Sequence, residues 1–268
     1  MSVYRVAIVE LEHDSGLREV HHRYSSAFGF EVTFDSVTPD ELNDALQSLR
    51  IGDLNAILVS RDIDCPVDFG VLKLDVSAAA SGSINFVTVV DGALCGFNTD
   101  IPALHFSITS AVAYPEFRTT LIMGTGPSVK AAVYVLSQYF DCSSFYVFEP
   151  RIDAYDDFVK FCEATNIDIQ MSRVTDRWMV PMHDPIQCVV TDSSLDLQSD
   201  AYATERWRLL TRVFASLRAN MYSRHRGLFL NLGPEPMSRF AVERWDRIAR
   251  NELWTAIRMD ELEQAFAG

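Results

Sequence analysis

The chain has 268 residues, enough for one large domain or two modest ones, and its 48% hydrophobic and 22% charged residues are an ordinary globular balance. A net charge of −14 and a pI near 4.8 repel nucleic acid and anionic membranes, so neither is expected as a partner. No apolar run is long enough to span a bilayer, and the N-terminus enters a strand pattern without a signal-peptide plan; the expectation is a soluble, cytoplasmic protein.

Residues 4–11 alternate and are rich in β-branched side chains, which predicts a strand. Leu17, Val20, Tyr24 and Phe28 have helical spacing, with Asp14 or Ser15 as N-cap. Residues 30–37 predict a second strand. Thr38-Pro39 opens a helix with proline at N1 that runs to Leu49, and residues 53–60 a third strand. This β-α-β-α-β order implies a parallel sheet with crossover helices. Residues 68–79 fit helix or strand equally. A hairpin then follows, 83–90 and 93–97, around an Asp91-Gly92 turn. The patterning changes at Asn98-Thr99-Asp100-Ile101-Pro102, and residues 103–113 predict a helix.

The next stretch, Leu121-Ile-Met-Gly-Thr-Gly-Pro-Ser-Val-Lys130, has the make-up of an anion site. Thr119–Met123 is an apolar, β-branched strand, Gly124 and Gly126 break it, and residues 128–139 predict a helix. Unpaired N–H groups and the positive end of that helix point at whatever sits in the turn. Gly124 permits the tight turn, and Gly126 has no Cβ to bar a pyrophosphate. Val129 stands where a third glycine would complete the usual fingerprint, so an ordinary strand–helix turn is the competing reading. A second strand, Ser144–Phe148, ends at Glu149, about 25 residues past Gly124, where a dinucleotide fold places its ribose-binding acid. A third apolar run, 186–190, fits another parallel strand. Gly124, Thr125, Gly126, Pro127, Ser128, Glu149 and Arg151 are therefore the candidate cofactor-binding residues. Two such α/β halves joined by a helix would form a cleft, with ligands beyond the carboxyl ends of the strands.

The five cysteines (Cys65, Cys95, Cys142, Cys162, Cys188) are scattered, odd in number and without a CxxC pair, so they read as buried hydrophobes in a reducing compartment. His21 and His22 diverge on a helix and no histidine pair has ligand spacing, so no metal is expected.

Three segments resemble the shikimate/quinate dehydrogenase family. Gly96-Phe97-Asn98-Thr99-Asp100 is similar to its G-Y/F-N-T-D signature, Ala80-Ser-Gly-Ser-Ile-Asn85 to its A-I-G-A-V-N segment, and Gly124–Ala131 to its G-A-G-G-A-A-R-A turn, in the family's order and spacing. The resemblance runs from the first strand to about Val190 and is loose over the last seventy-odd residues. It implies a two-lobed α/β fold. A substrate-binding domain would span 1–100, completed by C-terminal helices within 237–268, where Phe240, Val242, Trp245, Ile248, Leu253, Ile257 and Leu262 have helical spacing. A Rossmann-type NAD(P)-binding domain would span 101–236.

The resemblance also implies site residues. Asp100 matches the family's catalytic aspartate and Asn85 its substrate-binding asparagine. The N-V-T-x-P-x-K motif falls on Asn55–Arg61, with Ile57 for the threonine, Val59 for the proline and Arg61 for the catalytic lysine. Ser15 keeps one of two carboxylate-binding serines, Leu17 replaces the other, and Gln264 is assigned to a late glutamine. Arginine stays protonated, so Arg61 suits anchoring a carboxylate and not proton transfer. Ile57 and Leu17 would make the pocket more apolar where shikimate needs hydroxyl partners.

The expected activity is thus a shikimate dehydrogenase-like NAD(P)-dependent oxidoreductase on an altered hydroxy- or keto-acid, a small-molecule substrate. The alternative is a catalytically inactive ligand-binding or regulatory protein on the same scaffold. Glu149 favours NAD, whereas Arg151 is placed to reach the 2′-phosphate of NADP. The oligomeric state is left open.

Overall fold

The protein is seen in a computed structural model that describes residues 3–9, 25, 29–59, 72–113, 115–165, 167, 169–176, 179–180, 186–192, 202–219, 227–232 and 254–258. It divides into two units, Met1–Ile101 with Glu263–Gly268, and Pro102–Leu262.

The first unit is built on a six-stranded sheet of order β2-β1-β3-β5-β6-β4. Strand β1 (Val3–Val9) lies parallel to β2 (Glu31–Val37) and to β3 (Ala56–Val59). Between β2 and β3, Thr38 starts a 3-10 turn (Pro39–Glu41) that continues as helix α1 (Leu42–Ile51). Glu41 closes that entry by accepting from the Thr38 N–H at 2.9 Å and its hydroxyl at 2.8 Å. Gly52 ends α1 in the left-handed conformation, φ 86°. One face of the sheet buries Ala7, Val9, Ile57 and Val59 against Leu42, Ala45, Leu46 and Leu49 of α1. Strand β4 (Lys73–Leu74) and helix α2 (Val76–Ser81) resolve the segment that sequence left between helix and strand; Asp75 caps α2 by accepting from the Ala78 N–H at 2.8 Å.

Strands β5 (Phe86–Val90) and β6 (Ala93–Phe97) form the expected antiparallel hairpin, and β5 also pairs antiparallel with β3. Helix α3 (Asp100–Ala111) starts three residues earlier than its apolar pattern. The helix expected over 17–28 lies outside the described residues except at Ser25, which is helical.

The second unit carries a six-stranded sheet, order β12-β11-β10-β7-β8-β9, in which every pairing is parallel. Its elements alternate: β7 (Thr119–Met123), α4 (Pro127–Tyr139), β8 (Ser144–Phe148), α5 (Ile152–Ala164), β9 (Gln170–Arg173), β10 (Cys188–Thr191), α6 (Ala203–Ala219), β11 (Gly227–Asn231) and β12 (Trp254–Arg258). Helices on both faces leave β7, β10 and β11 buried along their whole length. Leu121, Phe148, Val189, Leu210, Val213 and Phe229 are at the centre of its core. The strand order reverses between β7 and β10, as in doubly wound dinucleotide folds.

One correction falls in the C-terminal segment. Residues 254–258, expected in a helix, form β12 parallel to β11. A strand this short carries too few residues to set a period of its own, and its Ile257 fits the flanking apolar spacing equally well.

Candidate functional site

In the first unit, Asn98, Thr99 and Asp100 join the end of β6 to α3. Gly96 lets β6 run close to Ile84, since a Cβ there would come within 2.8 Å of that side chain. Asn98 is buried and fully used. Its Oδ1 accepts from the Asp100 N–H at 3.0 Å, while its Nδ2 donates to Ser81 Oγ at 3.0 Å and to the Ser83 carbonyl at 3.3 Å. Asn98 therefore satisfies the N–H that opens the helix. Asp100 is itself buried, 6% exposed, in the first turn of α3. Asn85 Oδ1 accepts from the Thr99 N–H at 2.8 Å and hydroxyl at 3.1 Å. Its Nδ2 donates to none of the described residues.

Ile57 is fully buried in the core beneath α1. Asn55, which opens the same motif, spends its Oδ1 on the Arg5 N–H at 2.8 Å. Arg61, Ser15, Leu17 and Gln264 lie outside the described residues. An apolar cavity of about 840 Å³ on the first sheet, lined by Tyr4, Phe30, Phe34, Leu58 and Phe86 among others, includes none of the candidate residues.

In the second unit the glycine turn follows β7. Gly124 adopts φ 104°, a conformation that side chains disfavour, and Gly126 leads into Pro127 at the first position of α4. Pro127 has no N–H, so the donors at the front of the helix are Gly126, Ser128 and Val129. The Gly126 N–H is committed: it donates to Asp192 Oδ2 at 2.7 Å. Asp192 directly follows β10, the neighbour of β7, and its own N–H donates to the Met123 carbonyl at 3.3 Å. A Cβ on Gly126 would collide with the same Oδ2. The missing side chain thus makes room for a carboxylate of the chain itself.

Glu149, at the end of β8, is 4% exposed and well held. Its Oε1 accepts from the Arg151 N–H at 3.0 Å and from Arg151 Nε at 3.1 Å, and its Oε2 accepts from the Thr125 hydroxyl at 3.3 Å. Sequence set Glu149 and Arg151 as rivals for the ribose; here they are an ion pair. Bonding to Glu149 raises the Arg151 pKa further, and the Asp192 charge adds to the effect. Arg173 clamps the same corner by donating to the Glu149 carbonyl at 3.2 Å and the Pro150 carbonyl at 2.9 Å, with its guanidinium over the Tyr155 ring.

A dinucleotide would meet an acid at the ribose position but an occupied donor at the diphosphate position. The residues fit the adenosine end and, with Asp192 bound to Gly126, do not fit the diphosphate. Sequence reasoning missed Asp192 because it ended the strand at Val190. The placement of ligands at strand ends beside a reversal of strand order was the signal available to find it. Among the described residues no acidic, histidine and cysteine side chains cluster as a metal site, and no helix is long and apolar enough to cross a membrane.

No protein-family model matches the chain. It is 32% identical over 121 residues to a shikimate dehydrogenase (NADP(+)) from Exiguobacterium sp., 45% of either chain. It is 31% identical over 136 residues to the pentafunctional AROM polypeptide of Komagataella phaffii, 48% of this chain and 9% of that one. The matches thus span less than half the length of these curated relatives. Among solved structures, the fold is similar to a shikimate 5-dehydrogenase from Listeria monocytogenes in complex with shikimate and NAD, with a TM-score of 0.72 at 17% identity over 99% of this chain and 90% of that one. A shikimate dehydrogenase in complex with NADP+ gives a TM-score of 0.68 at 12% identity, over 99% and 88%.

Proposed function

We propose that the chain belongs to the shikimate/quinate dehydrogenase family and is a nicotinamide-dependent oxidoreductase acting on a hydroxy- or keto-acid other than shikimate. The first unit would take the substrate and the second the cofactor. The observation that carries this reading is the assembly at the start of α3: Asp100 buried in the first helical turn, its N–H bound by Asn98, and the preceding Thr99 held by Asn85 Oδ1. In this reading Asp100 accepts the proton of the substrate hydroxyl, Asn85 donates to a substrate oxygen, and Arg61 anchors a carboxylate. Arginine at the family's lysine position is the reason to look beyond shikimate, since a permanently charged guanidinium does not exchange protons near neutral pH.

NAD is the cofactor this reading favours. In this reading Glu149, held at the end of β8, accepts from the adenosine ribose hydroxyls, which favours NAD. Screening shikimate, quinate and related hydroxy acids with NAD+ and NADP+ tests the reading, with Asp100→Asn as its control. Turnover that disappears in Asp100→Asn, with cofactor affinity kept, is the expected result; full turnover in that variant would remove Asp100 from the chemistry.

The second reading is a ligand-binding protein without catalysis on the same scaffold. Asp192 favours it, because the carboxylate takes a backbone donor that a diphosphate would use. Dinucleotide binding without turnover of any substrate would select it.

A further inference from the structure

We infer that Asp192 is a specificity-determining residue of the glycine turn: its carboxylate occupies the place of a ligand phosphate, so a diphosphate-bearing ligand binds only by displacing it. Three observations meet at this point. The Gly126 N–H, the donor that leads into α4, is bound to Asp192 Oδ2 at 2.7 Å. The space left by the missing Cβ of Gly126 is filled by that same oxygen. The position of Asp192 is enforced by the fold, because it directly follows β10 and its N–H is tied to the Met123 carbonyl at the end of β7.

The arrangement copies what an anion does at a helix N-terminus. A carboxylate there accepts a backbone N–H and sits at the positive end of the helix dipole, which carries roughly half a unit charge. A diphosphate arriving at the turn therefore meets one donor fewer. It also meets a fixed negative charge at contact distance, where charges in a partly buried setting interact strongly. Both effects act on phosphate and neither on adenosine. Glu149 differs in this respect: it lies at the end of β8 and is paired with Arg151.

The inference rests on the dinucleotide reading only for the choice of ligand, and the test separates the two. Full-length protein and the variants Asp192→Asn and Asp192→Ala are titrated by calorimetry with NADH, with inorganic pyrophosphate and with adenosine. Asn removes the charge and keeps an acceptor for Gly126; Ala removes both. NADH and pyrophosphate should bind about tenfold more tightly to the Asn variant and at least about 30-fold more tightly to the Ala variant, while adenosine is unchanged. Should Asp192→Ala fail to fold, the near-isosteric Asp192→Asn decides alone. NADH binding all forms with one affinity would overturn the inference and leave the dinucleotide reading standing. Pyrophosphate gaining as expected while NADH binds no form would uphold the inference and end the dinucleotide reading. If neither probe binds any form, both are wrong.

Discussion

Replacing Asn98 by alanine tests whether the start of α3 is held as described. The side chain is 3% exposed and makes three hydrogen bonds, to the Asp100 N–H, Ser81 Oγ and the Ser83 carbonyl. Ser81 Oγ and the Ser83 carbonyl retain each other at 3.3 Å after the truncation, so each is only partly deprived. The Asp100 N–H loses its cap, and a buried donor left unpaired costs about 1–3 kcal/mol. With the two weaker losses the total is about 2–3 kcal/mol, or a 30- to 150-fold rise in exchange for amides of the helix. Hydrogen exchange of a peptide covering Asp100–Ala111 reads it directly. Protection within about 0.5 kcal/mol of the parent would refute the capping role.

Unmodified protein should bind NAD(H) more tightly than NADP(H), and Glu149→Ala should narrow the gap; equal or tighter binding of NADP(H) by the parent would mean that Arg151 faces the ribose. Arg173→Ala removes two charge-assisted bonds to the carbonyls of Glu149 and Pro150, so it should destabilise the second unit by about 1–3 kcal/mol in urea. An unmoved midpoint would show the corner held by other contacts. Burial pushes the Cys142 thiol from 9.0 to about 11 and Cys162 to about 12. The unfolded chain ionises these thiols first, so their contribution to stability is complete below about pH 9 and lost as pH rises through 11 to 12. Unfolding midpoints flat from pH 8 to 11 would contradict this. At pH 8 a thiol reagent should leave Cys142, Cys162 and Cys188 untouched in the folded protein.

Much of the fold was legible where local chemistry and tertiary setting agree. Thr119–Met123 and Ser144–Phe148 are read at their observed limits because β-branched and aromatic runs end abruptly at Gly124 and Glu149-Pro150. Asp91-Gly92 announces the hairpin by itself. Short pieces with no period were not legible: Lys73–Leu74, Gln170–Arg173 and Trp254–Arg258 become strands only through their neighbours in a sheet. The site divides the same way. The Asn98-Thr99-Asp100 cluster and Glu149 were visible as residues, but not the division of labour between Asn98 and Asp100, nor the pairing of Glu149 with Arg151. Asp192 depends on two strands far apart in sequence meeting at one edge, which no local pattern records.

The Asp91–Gly92 turn has a reach beyond its own end of the hairpin. Both residues have positive φ, 50° and 76°, the geometry of a two-residue turn that admits a single register. Five cross-strand pairs are counted off from it, Val90 with Ala93 through Phe86 with Phe97. The next step brings the Asn85 N–H to the Phe97 carbonyl at 3.0 Å and its side chain to Thr99. The ribbon is a ruler with its zero at the turn, about 17 Å from the place it measures. One residue inserted between Asp91 and Gly92 would shift the count by one and turn Asn85 to the opposite side, leaving Thr99 without its acceptor. A change at an exposed loop tip would then have the effect of a substitution inside the site.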